Sequence, residues 1–251
     1  MTLDRQRQDW EQLAEVDPLW AVLTRADKRG GRWDRDEFLA TGESEVAEVM
    51  DAAAELGWST PRRQALDFGC GAGRLTRALG RRFETAVGID ISASMVETAR
   101  ALNSDVERCE FRVNTSTDLG QFRDGEFDFV YSSLVLQHLP NGELVRGYVA
   151  EFLRVVSPEG LVVFGLPARI GWPYRLALSR RLYSALRRVG VGEQTILRRT
   201  PLTPMRMTAV PEAEMRAFLN ERGATVLRAE LRDGGGVRTV RYYVVPDKID
   251  R

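Results

Sequence analysis

From residue 65 onward, short apolar runs alternate with amphipathic stretches of helical period. The runs lie at 65–68, 85–89, 110–113, 127–132 and 160–166, and helical patterns at about 74–81, 93–102 and 143–156 separate them. A strand that is apolar at nearly every position must be covered on both faces. Parallel neighbours need a crossover of a dozen or more residues, which these helices supply. The alternation predicts βαβ units in a doubly wound, mainly parallel α/β sheet. A helix at 211–222 and strands at 224–231 and 237–245 close the chain, making seven strands. Asp233-Gly234-Gly235-Gly236 is short enough for a hairpin, so the last strand is expected to be antiparallel.

Two helical regions flank this rhythm. In residues 1–60, Trp10, Leu13 and Val16 and then Leu19, Trp20 and Leu23 recur at helical spacing, broken at Asp17-Pro18. Lys28-Arg29-Gly30-Gly31 reads as a loop. Thr41-Gly42-Glu43 reads as a helix start with Thr41 as N-cap, and that helix ends near Leu56-Gly57. The second region, an insert at 167–210, follows the fifth strand. Its 167–206 part carries nine Arg and one acid, Glu193, with Trp172, Tyr174 and Tyr183. The expected organisation is a helical lid at 1–60 and a domain at 61–251 that includes the Arg-rich insert.

The 251 residues suffice for one large domain. With 36 basic and 36 acidic residues, net charge gives no argument for nucleic acid or an anionic membrane. No apolar run approaches the ~20 residues of a membrane-spanning helix. Residues 1–10 lack the apolar core of a signal peptide, so a cytoplasmic monomer or homodimer is expected. Two cysteines, Cys70 and Cys109, and one histidine, His138, do not form the spacing of a soft-metal site, and no metal is expected.

The first strand ends at Asp67 and runs into Gly69-Cys70-Gly71-Ala72-Gly73, after which a helix begins. Such a turn needs left-handed backbone and close approach to a ligand, and the helix start offers free N–H groups. Asp90 ends the second strand, 17 residues after Gly73, followed by Ser92 as N-cap. An acid at that strand tip can accept hydrogen bonds from both ribose hydroxyls of an adenosine. A dinucleotide turn of the form G-x-G-x-x-G would need glycine where Arg74 stands.

The pattern present, Asp67-x-Gly69-x-Gly71-x-Gly73, resembles the first motif of the class I S-adenosylmethionine-dependent methyltransferases, and Asp90 resembles their second. The stretches 127–140 and 152–161 resemble the family's fourth strand and its entry to the fifth. The resemblance implies a Rossmann-like fold and S-adenosyl-L-methionine as cofactor. It places Gly69, Cys70, Gly71, Gly73 and Arg74 at the methionine part, with Asp67 holding the amino group directly or through water. Asp90 takes the ribose, Ile91 and Met95 pack on adenine, and Asn114, Thr115 and Ser116 flank its edge. Thr115 stands where many relatives carry Asp, which leaves a side-chain bond to adenine N6 open. Ser132 and Ser133 fall near the methionine portion. Cys70 reads as a small buried filler rather than a nucleophile.

A sulfonium methyl needs a nucleophile held in line and, for a hydroxyl acceptor, a base. His138 is the candidate base and Gln137 a candidate to orient the acceptor; the alternatives are a histidine that caps or packs the turn and a solvent-facing glutamine. Trp33 and Phe38 either cover the cofactor or pack within the helices. The Arg-rich insert suits an anionic acceptor, or forms a solvated helix face or subunit contact. A small-molecule oxygen acceptor leads. N-methylation, RNA methylation and cofactor binding without turnover are the alternatives. No Asn/Asp-Pro-Pro-aromatic signature of base or amide methylation occurs at 132–135.

Overall fold

The computed structural model describes residues 3–59, 61–171, 178–200, 202–234 and 236–247. Strands β1 (Gln64–Phe68), β2 (Thr85–Asp90), β3 (Cys109–Val113), β4 (Phe127–Ser132), β5 (Val156–Ile170), β6 (Ala224–Gly234) and β7 (Val237–Pro246) form one sheet of order β3-β2-β1-β4-β5-β7-β6. The first five are parallel, and β7 runs antiparallel to β5 and β6. The mainly parallel sheet, its seven strands and the closing hairpin are those the sequence predicts.

Both faces of the sheet are covered, which is why the central runs are continuously apolar. Leu66, Val130 and Val162 face one core with α6 (Gly142–Val155) and α9 (Glu212–Glu221). Their neighbours Ala65, Phe129 and Val163 face the other, with α3 (Arg35–Glu55) and α4 (Arg74–Gly80). Phe129 stacks on Phe83 at 5.6 Å between centroids. Each such side chain fully buried contributes about 1.5–3 kcal/mol. α5 (Ala93–Leu102) covers the β2–β3 end, capped by Ser92 Oγ accepting from Met95 N as expected.

The N-terminal region differs from the sequence reading at one point. Its long helix begins at Arg35, not at Thr41. Asp34 is the cap, its carboxylate accepting from Asp36 N and Glu37 N. Thr41 lies inside the helix, with Oγ1 donating to Phe38 O. Gly42 is needed for approach, not for starting a helix: a Cβ there would run into the Arg74 carbonyl oxygen. A glycine inside a helix costs about 1 kcal/mol relative to alanine. Here it lets α3 touch the start of α4, directly behind the Gly69–Gly73 turn. α3 thus belongs to the sheet's own core, whereas α1 (Leu3–Val16) and α2 (Pro18–Val22) belong to a separate cluster that includes Met95 of α5.

β5 runs from 156 to 170, well beyond the predicted 160–166. Its start pairs with Phe127 across a bulge, and its end pairs in antiparallel register with Val237 and Arg238 of β7. In the insert, α7 (Leu178–Arg188) and α8 (Glu193–Arg199) pack Tyr183, Ile196 and Leu197 on Leu13, Ala14 and Ala21 of the N-terminal helices. Arg29 donates to the carbonyls of Leu197 and Thr200. Trp172, Tyr174 and Arg175 lie outside the described residues.

Candidate active site

Gly69, Gly71 and Gly73 have left-handed φ of 77°, 50° and 82°. Gly69 N and Cys70 N both donate to Ile89 O, so the turn is tied across to β2. Asp90 completes the tie: one carboxylate oxygen accepts from Gly71 N and the other from Ser92 N, each at 2.9 Å. Each oxygen keeps acceptor capacity for a hydroxyl. Burial pushes the Asp90 pKa up, while the amide donors oppose that rise.

Around this turn lies a cleft lined by Gly69, Cys70, Gly71, Arg74, Asp90, Ile91, Met95, Asn114 and Ser133. Nine of the expected cofactor residues therefore share one wall. Others fall outside it. Gly73 packs against Asn103 and Phe111. Ser132 Oγ donates to Phe68 O, fastening β4 to β1. Thr115 faces a separate hollow beside Glu11 and Gln12 of α1. Ser116 Oγ bonds Asp118, and its carbonyl accepts from Tyr148 Oη. Of the residues expected at the adenine edge, the cleft wall contains Asn114.

Asp67 lies beneath the turn, fully buried, with Oδ2 accepting from Thr76 Oγ1 at 2.6 Å and Oδ1 without a partner. Burial raises its pKa to about 7; the Thr76 donor and Arg74 charge pull the other way. In an unfolded chain an aspartate titrates near ~3.9. Between those values the folded chain holds a proton that the unfolded chain has lost, so stability falls as pH rises through the window. Asp67→Asn removes this titration. Its melting temperature relative to wild type is expected to climb between pH 5 and pH 8, and thermal melts across that range check the sign. A constant difference would remove Asp67 as the titrating group.

Several lining residues carried no sequence signal. Leu3, Gln6 and Trp10 present one face of α1 to the cleft, and Phe68 and Tyr148, in contact at 4.6 Å, floor it. Glu45 of α3 accepts from Arg74 Nη1 at 2.7 Å, Tyr131 Oη at 2.7 Å and Ser133 Oγ at 2.5 Å. Burial disfavours its charge, but Arg74 and the Ser133 and Tyr131 donors outweigh that and hold its pKa below the ordinary value. Leu134 has φ of 63°, which is strained for a side chain with a Cβ and costs roughly 1–2 kcal/mol. It sits where the cleft meets the cavities beyond.

Gln137 and His138 line the larger of those cavities, not the cleft. The two spaces share Trp10, Val22, Arg74 and Leu134 as a common wall. His138 Nδ1 lies 3.1 Å from Arg206 O, which assigns the proton to Nδ1 and leaves Nε2 as a base. Gln137 Nε2 is 3.2 Å from that Nε2, and the Trp10 ring meets the imidazole edge-on at 5.4 Å. Burial pulls the His138 pKa below its ordinary value, keeping the ring neutral at pH 7. Trp33 lines the same cavity, whereas Phe38 is buried in the packing of the N-terminal helices. Among the described residues, no group of three or more His, Cys, Asp or Glu side chains is placed to hold a metal ion, and no helix is long and apolar enough to cross a membrane.

Comparison with known proteins identifies the domain that carries this turn. A family model described as a methyltransferase domain matches residues 66–164, the stretch that contains the turn, Asp90 and β4. The chain carries a class I methyltransferase domain. It is 32% identical over 176 residues to a ubiquinone biosynthesis O-methyltransferase of Methylococcus capsulatus, covering 67% of this chain and 65% of that one. It is 30% identical over 138 residues to a trans-aconitate 2-methyltransferase of Deinococcus radiodurans, covering 54% and 50%. The chain thus spans about half to two thirds of the length of these curated relatives. Magnesium protoporphyrin IX methyltransferase from Synechocystis PCC 6803, solved with bound S-adenosylhomocysteine, shares the fold. Its TM-score is 0.62 at 18% identity over 96% of this chain and 98% of that one. The methyltransferase domain's residues also fit the family's cofactor, S-adenosyl-L-methionine. Besides the glycine cradle and Asp90, Gln6 Oε1 and Arg74 Nε are buried at the cleft wall without partners. An acceptor and a donor left over in one wall suit a zwitterionic, nucleoside-bearing ligand.

Proposed function

We propose that this chain is an S-adenosylmethionine-dependent methyltransferase that methylates an oxygen, hydroxyl or carboxylate, of a small-molecule acceptor by in-line transfer. The observation that carries the reading is the common wall: the cofactor cleft and the cavity holding His138 Nε2 meet at Trp10, Val22, Arg74 and Leu134. When bound, the cofactor supplies a methyl group already activated on a sulfonium. Gly69, Gly71 and Asp90 hold it, with Arg74 and Gln6 offering polar atoms. With a hydroxyl acceptor His138 takes the proton, kept in the right tautomer by Arg206 O, whereas a carboxylate attacks already ionised; Gln137 orients the acceptor. α1 and α2 with α7 and α8 form the lid that excludes water. That one relative is by name an O-methyltransferase supports an oxygen acceptor. The test is release of S-adenosylhomocysteine by the purified chain across a panel of phenols, alcohols, carboxylates and amines. Release with oxygen acceptors supports the reading. Release with amines alone, or with none, overturns it.

A further inference from the structure

The larger cavity carries an excess of positive charge. Its wall is mostly apolar, with Trp20, Trp33, Ile170, Met205 and Met207 among its residues. Four arginines also line it. Arg25 is paired with Asp27 and Glu37, and Arg74 with Glu45. Glu45 is the one carboxylate among the described lining residues, and Arg74, Tyr131 and Ser133 already occupy it. Arg180 and Arg206 remain, and no described carboxylate pairs with either. Arg180 Nε is buried without a hydrogen-bond partner. Burial and the nearby Arg206 and Arg181 charges pull the Arg180 pKa down. Two like charges beside apolar surface, one with an orphaned donor, are unfavourable in the free protein. A planar or tetrahedral oxyanion relieves both problems, because guanidinium donors match its geometry.

We infer that the acceptor is a bulky apolar molecule bearing an oxyanion group, carboxylate or phosphate, held by Arg180 and Arg206. This rests on the reading of the cavity as the acceptor site. The placement also has a positioning consequence. The Arg206 carbonyl holds His138 Nδ1, so the anion-binding residue and the base share one backbone framework. An acceptor anchored by its anion presents its neighbouring oxygen to the His138 turn.

Calorimetry on the full chain saturated with S-adenosylhomocysteine tests this with 2-naphthoate, 2-naphthyl phosphate and the uncharged 2-naphthylmethanol. At least one anion is expected to bind roughly tenfold or more tighter than the alcohol, less so at high salt. The double variant Arg180→Met/Arg206→Met should erase that preference while leaving the alcohol's affinity unchanged. Whichever anion binds tighter assigns the group as carboxylate or phosphate. Equal binding of all three to wild type, or a preference that survives the double variant, overturns the inference. If the double variant loses its helical circular dichroism, the single variants Arg180→Gln and Arg206→Gln are read instead, each expected to lower the preference severalfold; no change in either overturns it. Anion preference without S-adenosylhomocysteine release on any acceptor would sustain this site and remove methyl transfer. Release on uncharged acceptors with no anion preference would do the reverse.

Discussion

His138→Ala loses turnover on a hydroxyl acceptor by about 10²–10⁴-fold, while affinity for S-adenosylhomocysteine stays at the wild-type value. The split follows from placement. His138 lines the larger cavity and is not among the residues that line the cleft around the Gly69–Gly73 turn, which it meets through the shared wall residue Trp10. Its lowered pKa fixes the shape of the pH profile as well. A base must be unprotonated, so activity should already be level at pH 7 and fall only below the ordinary imidazole range near ~6.5. Paired measurements of kcat across pH and of cofactor affinity by calorimetry check both statements. A variant that keeps wild-type turnover on hydroxyl acceptors would reduce His138 to a packing partner of Trp10.

Glu45→Ala is expected to cost about 3–5 kcal/mol of stability, because it strands the buried Arg74 guanidinium without a counter-charge. Whole domains are stable by only ~5–15 kcal/mol, and in a chain of this size each kcal/mol moves the melting temperature by about 2–4 °C. A fall of roughly 10 °C is therefore expected from one surface-adjacent substitution. Replacing both partners, Glu45→Leu with Arg74→Met, should recover much of that stability, since no charge then stays buried alone. It should not recover cofactor affinity, because Arg74 lines the cleft itself. Thermal melts of the single and double variants decide the matter. Equal melting temperatures for wild type and Glu45→Ala would show that solvent screens the pair more than its burial implies.

Those two residues mark the limits of what the sequence reveals. His138 is the single histidine and follows an apolar strand that the alternation of runs already locates. The glycine turn and Asp90 are legible for a similar reason: each sits at a strand end, where backbone geometry demands a particular residue type. Glu45 has no such signature. It is one acid among several on an ordinary helix, and its role exists only because α3 crosses the start of α4. Gly42, read as part of a helix start, belongs to the same crossing; local patterns do not encode what lies against a helix. Leu134 and Tyr148 were invisible because a leucine after a strand and a tyrosine on an amphipathic helix look like core. The length of β5 is not legible because its last residues, Pro167–Ile170, extend the strand through register with β7, a partner that a local pattern does not reveal.

The most direct measurement of the central claim is calorimetric binding of S-adenosylhomocysteine to wild type and to Asp90→Ala, with NAD⁺ as the competing ligand class. The carboxylate that ties the glycine turn to β2 is also the group proposed to take the ribose hydroxyls, with charge-assisted bonds of about 1.5–3 kcal/mol each. Wild type is expected to bind S-adenosylhomocysteine and not NAD⁺, and Asp90→Ala to weaken that binding by at least roughly 100-fold. Binding of NAD⁺ in preference, or S-adenosylhomocysteine affinity unchanged in Asp90→Ala, would contradict it.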